Sequence, residues 1–136
     1  LGDHVHARPY FDRSAAMWGV GTDQQVAALF DALDGRGDRK AFARRLVAFP
    51  ERSWKDPGSG NLIGDFEAPV LLILLGEPGL ALDYVDRASR GNPIDLAWGV
   101  LMPGVDPIRC EPRFVAAVDR LKIVDYRAAR MCAKGD

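Results

Sequence analysis

Apolar residues along this chain recur mostly at three- and four-residue spacing, the period of one face of an α-helix. The clearest case is Asp23 to Leu33, where Val26, Leu29, Phe30 and Leu33 share a face and Thr22 or Asp23 can cap the start. Gly35 and Gly37 then form a turn, and Asp38 caps a second helix whose stripe is Phe42, Leu46 and Phe49, ended by Pro50. Together these make an antiparallel helical hairpin. Glu51 to Gly60 reads as a loop closing on Pro57, Gly58, Ser59 and Gly60. A third helix is expected from about Asn61 to Leu75, kinked or split by Pro69.

A fourth helix covers Pro78 to Arg90. Gly76 ends the helix before it, Pro78 occupies a first turn that tolerates proline, and Gly91 with Pro93 stops it. Pro93 opens a short fifth helix carrying Ile94, Leu96, Ala97, Trp98 and Leu101. Pro103 to Pro107 reads as a linker. Glu111-Pro112 starts a sixth helix with Phe114, Val118 and Leu121 on one side, and a tail from Lys122 to Asp136 has room for one more turn. Within residues 1–21 the only segment with a helical pattern is Ser14 to Trp18, interrupted by Gly19 and Gly21. No alternating run sits beside a hairpin turn, so no strand is expected. The reading is all-α, with hairpins at about 22–50, 61–91 and 93–122 stacked as a short right-handed solenoid of one hairpin per repeat.

The segment from about Leu62 to Pro93 resembles a tetratricopeptide repeat. Gly76 stands at the inter-helix turn, Ala81 and Ala88 are the small residues of the second helix, Val85 is the larger residue between them, and Pro93 closes the turn. The first helix departs from the motif, with Ala68, Pro69 and Leu72 where the family prefers Leu and Gly before a later aromatic. The C-terminal half is similar to the end of bacterial tetratricopeptide arrays. Trp98, Asp106-Pro107-Ile108-Arg109, Glu111-Pro112-Arg113-Phe114, Ile123-Val124-Asp125-Tyr126 and Cys132 carry that likeness. In such regulators the array follows a winged-helix DNA-binding domain or a nucleotide cyclase domain. The resemblance implies a protein-interaction or sensory role and packing positions at Gly76, Ala81, Val85, Ala88, Pro93, Trp98 and Phe114.

Composition bounds the rest. The chain has 136 residues, of which 48% are apolar and 27% charged, enough for one globular core without metal or disulfide staples. The formal net charge of −1 provides no global field for nucleic acid or an anionic membrane, so neither is an expected partner. The longest apolar run, Val70 to Leu75, is far too short to cross a bilayer. Two cysteines, Cys110 and Cys132, do not make a disulfide framework. Buried thiols in a reducing cytoplasm are the simplest expectation, with a mutual disulfide open if the tail folds back. The chain opens on Leu1 rather than Met, so a fragment lacking an N-terminal partner domain is expected.

Candidate chemistry is sparse. Asp3, His4 and His6 could share a metal, but three groups at a chain end read as an exposed polar terminus. No other His exists to build a triad, and Gly19-Val-Gly21 and Gly58-Ser-Gly60 lack the Lys of a phosphate loop. Asp83, Asp86, Arg87 and Asp95 read as solvated or groove-lining charges rather than an acid–base pair. Arg36, Arg39, Lys40, Arg44 and Arg45 form a basic cluster with no interleaved aromatics for base stacking, which reads as a solvated helix face.

The expectation is therefore a non-catalytic module without cofactor or metal. A concave groove presenting Gln24, Gln25, Ala28 and Asp31 would bind a protein partner as a peptide or helix. Trp54 either packs over the hairpins or anchors a ligand or second subunit. The alternative is a sensory or dimerisation segment that forms a homodimer and transmits a state to the missing domain.

Overall fold

The computed structural model describes residues 3–18, 23–48, 67–91, 96–97 and 99–122. All regular structure among them is helical, with no strand, so the all-α class holds. The chain divides into two compact units, Leu1–Gly64 and Asp65–Asp136.

The first unit holds α1 (His4–Trp18), α2 (Asp23–Leu33) and α3 (Arg39–Ala48). Asp3 starts α1 as an N-cap, its Oδ1 accepting from the His6 backbone N–H at 3.2 Å. The Ser14–Trp18 expectation was thus too short at its N-terminal end. Pro9, inside the helix, argues against one, but it removes only a single backbone donor. Packing makes up for it: Phe11 meets Phe30 of α2 edge-to-face at 5.8 Å, and the Arg8 guanidinium lies 5.6 Å from the same ring. Val26, Leu29, Phe30, Leu33, Phe42, Ala43 and Leu46 are buried and form the core of the α2–α3 hairpin.

That hairpin closes through local chemistry. Gly35 adopts φ +78°, which only glycine reaches without strain. This lets Gly35 N–H donate to the Ala32 carbonyl at 3.3 Å and Arg36 N–H to the Asp31 carbonyl at 2.8 Å, the double bond of a Schellman cap. Arg39 reaches back to the Ala32 and Leu33 carbonyls, each at 2.8 Å, at the negative end of the α2 dipole. Asp38 caps α3 as expected, its Oδ1 accepting from Ala41 N–H at 2.9 Å.

The second unit holds α4 (Ala68–Leu74), α5 (Pro78–Gly91), a 3-10 helix (Pro103–Ile108) and α6 (Pro112–Leu121). Of the two expectations at Pro69, a kink or a split, the helix start at Ala68 fits the split. Glu67 is the N-cap of α4, and Pro69 sits in its first turn, where a missing N–H costs nothing. The upstream part of the expected helix, residues 61–66, lies outside the described residues. Gly76 (φ +83°) ends α4 with a second Schellman cap: Gly76 N–H to the Ile73 carbonyl and Glu77 N–H to the Leu72 carbonyl, both 2.9 Å.

Helix α5 is the centre of this unit and packs against both α4 and α6. Ala81, Tyr84, Val85, Ala88 and Ser89 are its buried residues, at i, i+3, i+4, i+7 and i+8. Phe114, Ala117 and Val118 are the buried stripe of α6. Pro103–Pro107, expected to be a linker, is helical instead. Val105 and Ile108 are buried, and Gly104 lies so close to Val70 of α4 that an added Cβ would fall 2.5 Å from Val70 Cγ1. The absence of a side chain at Gly104 permits this approach.

Candidate functional site

The polar chemistry of the second unit concentrates along the α5–α6 seam. Asp83 and Asp86, three residues apart on α5, meet Arg113 and Arg120, seven apart on α6. Arg113 Nη2 lies 2.6 Å from Asp83 Oδ1. Arg120 pairs with Asp86 and also donates to Ser89 Oγ from Nε at 3.1 Å and from Nη2 at 3.0 Å. Ser89 is nearly buried, and its hydroxyl donates to the Asp86 carbonyl at 2.8 Å. Arg90 adds a second cation to Asp86 at 3.0 Å.

The Asp86 carboxyl is held below the ordinary carboxylate range. Its hydrogen bond to Arg90 is the main cause; partial burial opposes it, and Arg120 adds to it. Each carboxylate here is occupied by an arginine, so the pair is arranged to clamp two helices rather than to exchange protons. Sequence reading singled out Asp83 and Asp86 but missed Arg113, Arg120 and Ser89. The signal was the matching of an i, i+3 acidic pair with an i, i+7 basic pair on adjacent amphipathic helices.

Arg109 was also missed as an individual residue. It is buried at the end of the 3-10 helix, donating to the Val100 carbonyl at 3.3 Å, the Met102 carbonyl at 3.1 Å and Asp106 Oδ1 at 2.7 Å. Its fork serves acceptors in three directions, a structural task that suits guanidinium geometry.

Among the proposed packing positions, Ala81, Val85, Ala88 and Phe114 are buried, and Gly76 takes the left-handed turn. Pro93 and Trp98 lie outside the described residues. Of the proposed partner-binding residues, Gln24, Gln25, Ala28 and Asp31 all belong to α2. Ala28 is half-buried, and Asp31 already accepts from Arg36 Nη2 at 2.8 Å. Trp54 lies outside the described residues.

The basic cluster divides into two groups. Arg36 bridges Asp31 and Asp34, at 2.8 and 2.9 Å, and its pKa is raised, first by the hydrogen bond to Asp31 and next by the charge of Asp34. Arg39 holds the end of α2, as described above. Lys40 and Arg44 are exposed, with no ion pair among the described residues, and Arg45 lies 5.4 Å from the ring of Phe42.

His6 Nδ1 lies 2.7 Å from Asp3 Oδ2, a contact within the helix cap. Among the described residues no three His, Cys, Asp or Glu side chains converge on a metal position. Cys110 was expected to be a buried thiol. It is exposed, because it sits on the turn leaving Arg109 rather than on a core-facing stripe, and it is disulfide-bonded, the alternative the sequence leaves open. Cys132 lies outside the described residues. No described helix is long and apolar enough to cross a membrane.

No protein-family model matches this chain, and comparison with curated proteins and with solved structures likewise found no match.

Proposed function

We propose that the chain is a non-catalytic protein-interaction module built from tetratricopeptide-like hairpins. On this reading it works within a larger bacterial regulator and holds a peptide or helix in a groove of a short right-handed solenoid.

One observation carries the reading. Helix α5 is buried on two sides, with the small residues Ala81 and Ala88 on its buried face, so α4, α5 and α6 make successive helix-on-helix layers. Layers of this kind present a surface of helix faces and short turns, suited to capturing another helix or an extended segment. The carboxylates of the α5–α6 seam are engaged in holding that layering, which supports a binding role over a catalytic one.

Light scattering across a dilution series tests the reading. A monomer at low micromolar concentration is the expected result and leaves a groove free for a partner. A dimer persisting on dilution would overturn it in favour of a dimerisation segment that passes a state to a neighbouring domain.

A further inference from the structure

We propose that the exposed face of α3 docks an acidic helical segment of a partner protein. This deepens the interaction reading by naming the partner's chemistry, and it rests on that reading only for the class of partner.

Several residues of α3 break local rules. Helix α3 reads Arg-Lys-Ala-Phe-Ala-Arg-Arg-Leu-Val-Ala, with four cations and no carboxylate. Phe42, Ala43 and Leu46 are buried, which leaves Lys40, Arg44, Arg45 and Ala48 on the exposed side. Lys40 and Arg44 stand at i and i+4, where like charges repel along a helix. Lys40 also lies in the first turn, where a cation opposes the positive end of the helix dipole. Arg36 and Arg39 meet acceptors within the hairpin; Lys40 and Arg44 have no carboxylate among the described residues. An anion seated on this face would relieve both repulsions. Local rules broken without compensation among the described residues are characteristic of functional surfaces.

The kind of anion follows from what surrounds the face. A nucleic acid duplex carries a charge about every 1.7 Å and is held by many cations, while single strands also need exposed aromatics. Here the cations of α3 occupy less than two helical turns, and Phe42 is buried. Asp31 and Asp34 beside the face are paired with Arg36, and Asp38 caps α3, so the free positive charge is confined to a patch too small to follow a polyphosphate or lie along an anionic bilayer. A partner helix with carboxylates at i and i+4 matches the spacing of Lys40 and Arg44 instead. The small side chain of Ala48 lets such a helix come close, and the long lysine and arginine stems add apolar contact.

The test is fluorescence anisotropy of the full chain with a fluorescein-labelled Glu/Ala helical peptide carrying Glu at i and i+4. Wild-type protein should bind it, and the double variant Lys40→Glu/Arg44→Glu should weaken binding by about tenfold or more. Arg13→Glu, a charge reversal on α1, should leave it within about twofold. Thermal unfolding of the double variant should be little changed, because a carboxylate at position 40 suits the positive end of the helix dipole while the pair at 40 and 44 stays like-charged. If it falls, Lys40→Ala/Arg44→Ala is the replacement pair and must weaken binding too. The proposal is overturned by absence of peptide binding, by equal losses in the α1 variant, or by tighter binding of a single-stranded oligonucleotide of the same charge. Such failure would not touch the broader interaction reading, which is decided separately by light scattering.

Discussion

At Gly104 a single missing side chain sets the distance between two elements. A methyl placed there would lie 2.5 and 2.9 Å from the two γ-carbons of Val70, inside any tolerable contact. Gly104→Ala should therefore cost about 1–3 kcal/mol in urea unfolding, as overpacked sites do. Adding Val70→Ala should recover part of that loss, with a favourable coupling of about 1 kcal/mol. Equal stability of Gly104→Ala and wild type would mean that the 3-10 helix shifts freely on α4. Residue-level reading did well where a residue has one physical option. Gly35 and Gly76 were read as turn glycines, and both have positive φ. It did poorly where the option depends on neighbours: Pro69 reads the same as a helix breaker or a first-turn residue until the N-cap at Glu67 is known.

At the scale of elements, the α5–α6 seam links charge to stability. Asp86 has a lowered pKa in the folded chain, so the native state binds fewer protons than the unfolded chain in acid. Its contribution is present above the ordinary aspartate value near 3.9 and is lost as pH falls through the lower folded value. Asp86→Asn should therefore be less stable than wild type at neutral pH, and the two melting curves should converge in strong acid. A gap that stays constant down to about pH 2 would show that Asp86 acts through packing rather than charge. The elements themselves were largely legible. The Asp23–Leu33 helix and the Pro112 start were read directly, because strong periodicity coincided with stop and start signals. The 3-10 helix was not, because Pro-Gly-Val-Asp-Pro has no helical period, and its order rests on Arg109 and on packing against Val70.

At the scale of the whole molecule, the disulfide at Cys110 bears on where the chain works. Disulfides persist in oxidising compartments and are rare in the cytoplasm, so the redox state of Cys110 in the isolated protein tests the reducing setting expected from the cysteine count. Alkylation of the protein isolated without reductant should leave Cys110 unlabelled, and prior reduction should expose it. Labelling without reductant would fit the reducing setting. The site was less legible than the fold. Charges on a helix can be assigned to a face from spacing, but their partners lie about thirty residues away, as Asp83 and Arg113 do, and only tertiary packing brings them together.

The α2–α3 hairpin has a consequence for how the chain is made. Its Schellman cap, the Arg36 bridge, the Arg39 clasp and the Asp38 cap all join residues seven or fewer positions apart. Contacts of so short a span close at little entropic cost and need nothing from the rest of the sequence. A ribosome releases the amino end first, so the groups that lock this turn are all present once Ala41 has left the exit tunnel. The second unit is different: Arg120 must wait for its own synthesis before Asp86 has its cross-helix partner. Vectorial synthesis therefore favours a hairpin that is latched while the clamp of the second unit is still unmade.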